Sequence, residues 1–480
     1  MAGEPRPQNR DAPNGEYQAP GDRPIGFAGS GRGGTLRRVV AGVSWLFVLI
    51  PAALPYLYVR AFGVNVVFAD AWEMIPIFRK WFHGQLTFAD LYAQHVEHRM
   101  FFPRGAELLL GILTRYNNVA EMYMIVSCFL VTAVVLLVAF RREIGLPLVF
   151  FVPVALLVFS FRQYENMLWG FQISFAFTQT FGVLALYSLY SSSRDDFRAY
   201  AFAAAVGSAT VASFSTAQGL LVWPAGLLQL LIGSALTSGK KLLAGIWGIV
   251  GIAEWVAYFV GYKTPHGRPP LLYALGHLGT AIQYFLTLLG SALFWQQELA
   301  FAGGVVLVCL ALGMLLATYG RGVIREHPFW ISFLFYSLFI LGTITLGRSG
   351  LFGAWQAAIS RYTTFSVLAA ASLYAMLAKM VFATRAGVVR TVLLVALFGA
   401  LLVNAGISYR NGIEVGRTQE ALRERAAHVL ETYASEPDAR LAVLYPRPET
   451  VRRRAPILKR LRYNVFSEPL AHSSSVRRND

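Results

Sequence analysis

The sequence predicts an all-α polytopic membrane protein, and three observations carry that prediction. Of its 480 residues, 56% are hydrophobic and only 14% are charged, with a mean hydropathy of +0.50. A soluble domain carries roughly 25% charged residues, so lipid is the main solvent of this chain. Apolar runs of about 18 residues or more recur along nearly its whole length, which is the signature of membrane-crossing helices. The period-two alternation of an outer-membrane barrel is absent.

Charge placement supports the same class. The formal charge of +16 would suit a nucleic-acid binder if the cations formed one patch. Here Arg and Lys sit mainly at the ends of apolar runs and in two tails, which is how membrane orientation is encoded. Nucleic acid is therefore not an expected partner, whereas membrane lipids are. Cys128 and Cys309 both lie within apolar runs and read as small core residues, not as a disulfide or a metal site.

Residues 1–34 are rich in Pro, Gly and Arg and lack an apolar core, so they read as a disordered cytoplasmic tail and not as a signal peptide. The first apolar run then acts as an uncleaved signal anchor. About eleven spans follow: 38–60, 118–140, 147–161, 172–191, 199–213, 219–237, 242–261, 299–319, 328–346, 362–383 and 388–408. Arg37 and Arg38 before the first span place the N-terminus in the cytoplasm. Alternation then brings Arg141 and Arg142, Arg194 to Arg198, Lys240 and Lys241, Arg321 to Arg325 and Arg385 to Arg390 to the same side.

That agreement requires 270–297 not to cross, so it reads as a re-entrant or interfacial helix on the outer side. The domains are then the tail 1–34, a transmembrane domain over 35–408 with an outer loop at 61–117, and a small extracytoplasmic segment at 409–480. In that segment 414–433 reads as a charged helix, Leu441 to Pro446 as a short strand ended by proline, and Arg452 to Arg460 as a basic cluster.

The outer loop holds the densest polar chemistry. From 68 to 82, Phe68, Ala71, Ile75, Phe78 and Phe82 share one helical face, while Asp70, Glu73 and Lys80 lie on the other. This predicts an amphipathic helix in the membrane interface, with Trp72 and Trp81 at a depth that suits them. Asp70 and Glu73 admit two compatible roles. They could supply a general base at the membrane surface, or form a capping box with Asp70 as N-cap and Glu73 at the third helical position.

Downstream stand His95, Glu97, His98, Arg99 and Arg104. The histidines are three apart, whereas the helical zinc motif has them four apart around Glu. Three readings stay open: a divalent cation held by Glu97, His98 and Asp70, contacts to an anionic substrate, or anchoring among lipid headgroups.

Other outward positions add to this set. The tight turn from Arg162 to Gln172 carries Glu165, Asn166 and two glutamines that topology alone does not need, so it lines a cavity or forms a Trp-anchored hairpin. Ser213 to Gly219 reads as helix-packing glue, and Glu254 as an intramembrane carboxylate that faces protein or a cavity, or pairs with a nearby donor. Arg348 and Arg361 flank one outer loop at span ends, where a guanidinium fork suits a lipid phosphate or snorkels to headgroups.

A first span from the cytoplasm, a large outer loop opening on Phe68-Ala69-Asp70-Ala71-Trp72-Glu73, many further spans and an outward C-terminal segment resemble the GT-C superfamily of integral-membrane glycosyltransferases. The resemblance covers 38–408 in architecture. It implies a GT-C-like fold and sugar transfer from a polyprenyl-phosphate-linked donor to a lipid or glycan acceptor of the cell envelope, with inversion. By the same resemblance Asp70 stands for the catalytic carboxylate, Glu73 is a second candidate, and Arg348 or Arg361 holds the donor phosphate. His95, His98, Arg99, Arg104 and Glu165 are the further substrate-binding candidates.

The chain would then sit in a bacterial cytoplasmic membrane with its active site on the extracytoplasmic side, where nucleotide sugars are not supplied. No cofactor is required by this reading beyond a divalent cation, if one binds. The competing expectations are a multi-span transporter, a lipid-linked glycan flippase, or an envelope-polysaccharide ligase. A transporter favours inverted repeats and midplane charges, and no repeat is visible here.

Overall fold

Helix formation follows the apolar runs closely. The computed structural model describes residues 31–193, 198–232, 238–265, 267, 273–318, 323–351, 353–383 and 387–467. Residues 1–30 of the expected tail lie outside this set, as do Arg194, Arg321 and Arg385 of the charge pattern. Two units divide the chain: Met1–Val43, helical from Gly31, and Ser44–Asp480.

Among the described residues, 9 helices are long and apolar enough to cross a membrane: Gly42–Phe62, Asn118–Ile144, Leu148–Met167, Gly170–Ser192, Gly239–Phe259, Gln297–Ala317, Pro328–Arg348, Ser360–Phe382 and Gly387–Glu431. Each lies on one of the expected runs. The two remaining expected runs fall on shorter helices, Ala199–Ser213 and Ala217–Ile232. The chain is thus an all-α, multi-pass membrane protein.

The spans are not equivalent. Leu148–Met167, Gly170–Ser192, Pro328–Arg348 and Ser360–Phe382 have about 70% of their apolar windows buried in protein, against 22% for Gly239–Phe259 and 28% for Gln297–Ala317. The first four form the centre of the bundle, and the latter two present their surfaces to lipid.

Within the stretch 270–297 the long element is Leu278–Gly290. Its 13 residues reach about 20 Å, short of the roughly 30 Å hydrocarbon core. It forms a hairpin with Gln297–Thr318, and the two backbones touch at small residues. A Cβ on Gly304 would lie 1.9 Å from the Leu286 carbonyl oxygen, so this approach admits only glycine.

The last long helix, Gly387–Glu431, has 45 residues and is about 68 Å long, roughly twice the hydrocarbon thickness. The expected division at 408/409 therefore falls inside one continuous helix. Its far end carries Ala426, Val429 and Leu430 into a second apolar core with Trp72, Ile75, Phe78, Leu441, Leu444, Val451, Ala455 and Leu458.

Two expectations are corrected here. Leu441 to Pro446 is not a strand: a short helix, Asp438–Leu441, leads into a turn. Leu441 and Leu444, three apart, both point into the core, a helical spacing and not an alternating one. Likewise, 68–82 is not one helix lying in lipid. It is a 3-10 turn, Ala69–Glu73, followed by an α-helix, Met74–Phe82, and its apolar face is covered by protein from Pro448–Leu461.

Polar ties fix this cap to the bundle. Asn464 donates from its amide to Asn65 Oδ1, the Tyr116 carbonyl and Asn118 Oδ1, at 2.7 to 3.0 Å, and accepts from the Val67 N–H. The loop 61–117 and the C-terminal segment are therefore one folded cap.

Candidate functional site

The site begins at a strained turn. Ala69 has φ +48°, and its N–H donates to the Leu444 carbonyl at 2.7 Å. This kink puts Asp70 inside the 3-10 turn, not before a helix. The expected capping box is consequently absent: Phe68 occupies the N-cap and no side chain caps either helix start. Glu73 instead accepts from Arg454 at 2.9 Å, and Arg454 also holds the Trp72 carbonyl. A capping box does form nearby, between Thr87 and Asp90. Hydrogen bonds from Lys80, then Thr87, hold the Asp90 carboxyl down at about 2.

Asp70, released from capping, keeps a side chain that is 46% exposed, with His95 Nε2 at 3.8 Å. His95 is placed by a minimal hairpin, Gln94–His95 against His98–Arg99, whose register sets His95 opposite His98. Val96 makes the turn with φ +50°. The His95 ring stands edge-on to Phe171, 5.4 Å away.

Across the hairpin, His98 Nδ1 accepts the Ala217 N–H at 3.2 Å, which leaves the neutral ring's proton on Nε2. That nitrogen faces Glu97 Oε1 at 3.7 Å, and the same carboxylate pairs with Arg348. The expected cation set of Glu97, His98 and Asp70 is therefore divided: Glu97 and His98 gather at Arg348, whereas Asp70 goes with His95. Among the described residues, no group of three His, Cys, Asp or Glu side chains converges as metal ligands.

Arg348 ends one central span and Arg361 opens the next, so both guanidiniums reach the same membrane boundary. Arg361 is held by Glu165, which takes its guanidinium at 2.9 Å and its backbone N–H at 3.3 Å. Ser360 Oγ donates to the Arg162 carbonyl, and the Asn166 amide donates to the Arg361 carbonyl. The tight turn 162–172 thus clasps the start of Ser360–Phe382. Asp70 lies within electrostatic reach of Arg361. Tyr284, from the short helix Leu278–Gly290, lies within reach of both Arg348 and Arg361. Its hydroxyl is buried without a partner.

Arg99 and Arg104 are differently employed. Arg99 donates to the carbonyls of Tyr92, Tyr258 and Val260 and stacks on Tyr92 at 4.5 Å. Arg104 donates to the carbonyls of Leu91 and Ala93, with Asp90 at 3.5 Å. Both are buried, and they tie the outer loop together and to the span Gly239–Phe259.

One pair was not singled out by the sequence. Glu107 and Glu121 are each 1% exposed. Glu121 accepts from the Asn118 amide at 2.8 Å, while both Glu107 oxygens lack a partner. Burial, and then the neighbouring Glu121, push the Glu107 carboxyl well above its ordinary range, against the opposing pull of Arg104. Gly170 packs onto Glu121: a Cβ there would sit 2.1 Å from Glu121 Oε2.

Chemically, the region offers a solvent-reachable carboxylate beside an imidazole and within electrostatic reach of Arg361, with a second span-end guanidinium, Arg348, held by Glu97. Such a set can accept a proton and neutralise an anion at the membrane boundary. No protein-family model, curated protein or solved structure matches the chain.

Proposed function

We propose that the protein is a membrane glycosyltransferase of GT-C-like architecture. It moves a sugar from a polyprenyl-phosphate-linked donor to a lipid or glycan acceptor of the cell envelope, with inversion. The observation that carries this reading is the half-exposed Asp70 carboxylate beside His95, within reach of Arg361 at the boundary shared by Arg348. Asp70 takes the acceptor hydroxyl proton as the new glycosidic bond forms. The sugar–phosphate bond breaks, and the departing phosphate oxygen is stabilised by Arg361 and Arg348. No covalent sugar–enzyme intermediate is needed. Glu165 and Glu97 hold the two guanidiniums in place until the phosphate arrives.

In this proposal the chain lies in a bacterial cytoplasmic membrane, with its N-terminus inside and the capped loop outside. The test is sugar transfer from a polyprenyl-phosphate donor in proteoliposomes. Asp70→Asn should lose transfer with its fold intact, and full activity in that variant would refute the general-base role. For orientation, a cysteine at the exposed Val443 should react with an impermeant maleimide on intact cells. Labelling only after permeabilisation would place the cap inside and remove the argument for a lipid-linked donor.

A further inference from the structure

The opposite end of the bundle carries a second polar cavity. The span Asn118–Ile144 begins beside the candidate site and ends here, 27 residues later, which is about 40 Å along a helix. The cavity has a volume of about 360 Å³, within the range of small-ligand sites. Four cations line it, Arg142, Lys240, Arg325 and Lys379, against two carboxylates, Glu143 and Glu326. Glu143 is already engaged by the Phe329 and Trp330 N–H groups at the start of Pro328–Arg348. With four cations against two carboxylates, the lining keeps an excess of two positive charges.

The cavity wall is formed in part by His327. This residue is 4% exposed, and neither ring nitrogen has a protein partner. A buried polar group left unpaired is costly, and His327 is such a group in the wall of this cavity. Burial, and then Lys379, push His327 down to about 4, so the imidazole is neutral at neutral pH, with one N–H to donate. Lys379 uses one ammonium hydrogen on the Ile144 carbonyl at 2.8 Å and keeps two. Arg142 stacks on Tyr187.

We propose that this cavity binds a phosphate monoester, held by the Arg142 and Arg325 guanidiniums, Lys240 and Lys379, with the His327 N–H as a neutral donor. Guanidinium forks match phosphate oxygens in pairs, and an excess of cations around one cavity selects a dianion over a carboxylate. The phosphate comes either from a lipid headgroup entering from the leaflet or from a soluble ligand. The site does not depend on the proposed sugar transfer, because it shares no residue with the Asp70 region.

The test uses the full-length protein and measures its melting temperature. In detergent, inorganic phosphate is compared with chloride at equal ionic strength. In nanodiscs, phosphatidylcholine alone is compared with phosphatidylcholine containing a minority of phosphatidic acid. A stabilising shift with phosphatidic acid only assigns the site to a lipid headgroup, and a shift with inorganic phosphate assigns it to a soluble ligand. Either shift should need about tenfold more ligand in Lys240→Ala and in Arg325→Ala, each of which removes a charged contact. Both residues lie on the rim, where truncation spares the packed interior; His327→Phe serves as the buried counterpart. No shift with either probe, or a shift of equal strength in both rim variants, overturns the proposal.

Discussion

Two carboxylates of the same outer loop, Asp70 and Glu107, meet opposite surroundings. Asp70 sits on a kinked 3-10 turn, nearly half exposed, with an imidazole as its partner. Glu107 lies on the regular helix Phe101–Thr114, buried within electrostatic reach of Glu121 and without a hydrogen bond. A carboxylate that must exchange a proton with a substrate needs access, whereas a buried carboxyl kept neutral is a structural group. On the proposed function, the first carries the chemistry and the second is architecture.

The largest expected effect breaks or keeps that division directly. Asp70→Asn should lower transfer by about 10²–10⁴, the usual worth of a positioned base, without changing the melting temperature. Glu107→Gln, which copies the neutral acid in shape, should leave the rate unchanged. The opposite pattern in the proteoliposome assay would move the base to the buried pair.

Next in size is the scaffold between them. Arg104 is buried, donates to carbonyls of the loop and lies within reach of both Glu107 and Glu73. Arg104→Ala strands those carbonyls and should cost about 1–3 kcal/mol, the range for leaving buried acceptors unpaired. Gly170→Ala should cost about 1–3 kcal/mol by overpacking. Unfolding monitored in detergent checks both. A negligible change in Arg104→Ala would mean that the loop is held elsewhere.

Legibility in the sequence followed the range of the interactions concerned. The spans were readable because each apolar run carries its own signal, and so was the buried face of Ala71, Ile75 and Phe78, because helical periodicity is local. The capping box at Asp70 and Glu73 was misread because the deciding partners are remote. Leu444 takes the Ala69 N–H, and Arg454 takes Glu73. Pairings such as Glu97 with Arg348 and Glu165 with Arg361 join segments that no spacing rule connects. Glu107 and Glu121 were overlooked for a further reason: each sits in an apolar helix where a lone carboxylate resembles a surface residue until a neighbouring segment closes over it. The polar cavity at the far end escaped because its cations were sufficiently explained by membrane orientation.

A smaller effect concerns pH. The Glu107 carboxyl is raised by burial, so the folded protein holds a proton that the unfolded chain releases above the ordinary value of 4.5. The folded state then binds more protons, and stability falls as pH rises toward the raised value. Asp90 acts in the opposite sense: its contribution is present above 3.8 and is lost as pH falls toward about 2. At neutral pH and above, the first effect governs. Glu107→Gln should flatten the decline of stability with rising pH, and a profile identical to the parent protein would show that the Glu107–Glu121 pair is already ionised in the fold.

The smallest effect separates Glu73 from Asp70. The Glu73 side chain is 33% exposed and pairs with Arg454 of the C-terminal helix Pro448–Leu461. A partly exposed pair of this kind contributes about 1 kcal/mol or less. Glu73→Gln retains an acceptor for Arg454, so it should lower the melting temperature slightly and leave transfer close to the parent rate. Arg454→Met should give a somewhat larger stability loss, since the Trp72 carbonyl also loses its donor. Should Glu73→Gln instead abolish transfer as fully as Asp70→Asn, the two carboxylates share the chemistry. Arg454 would then be the residue that positions the second of them, and Arg454→Met should reproduce the loss of rate.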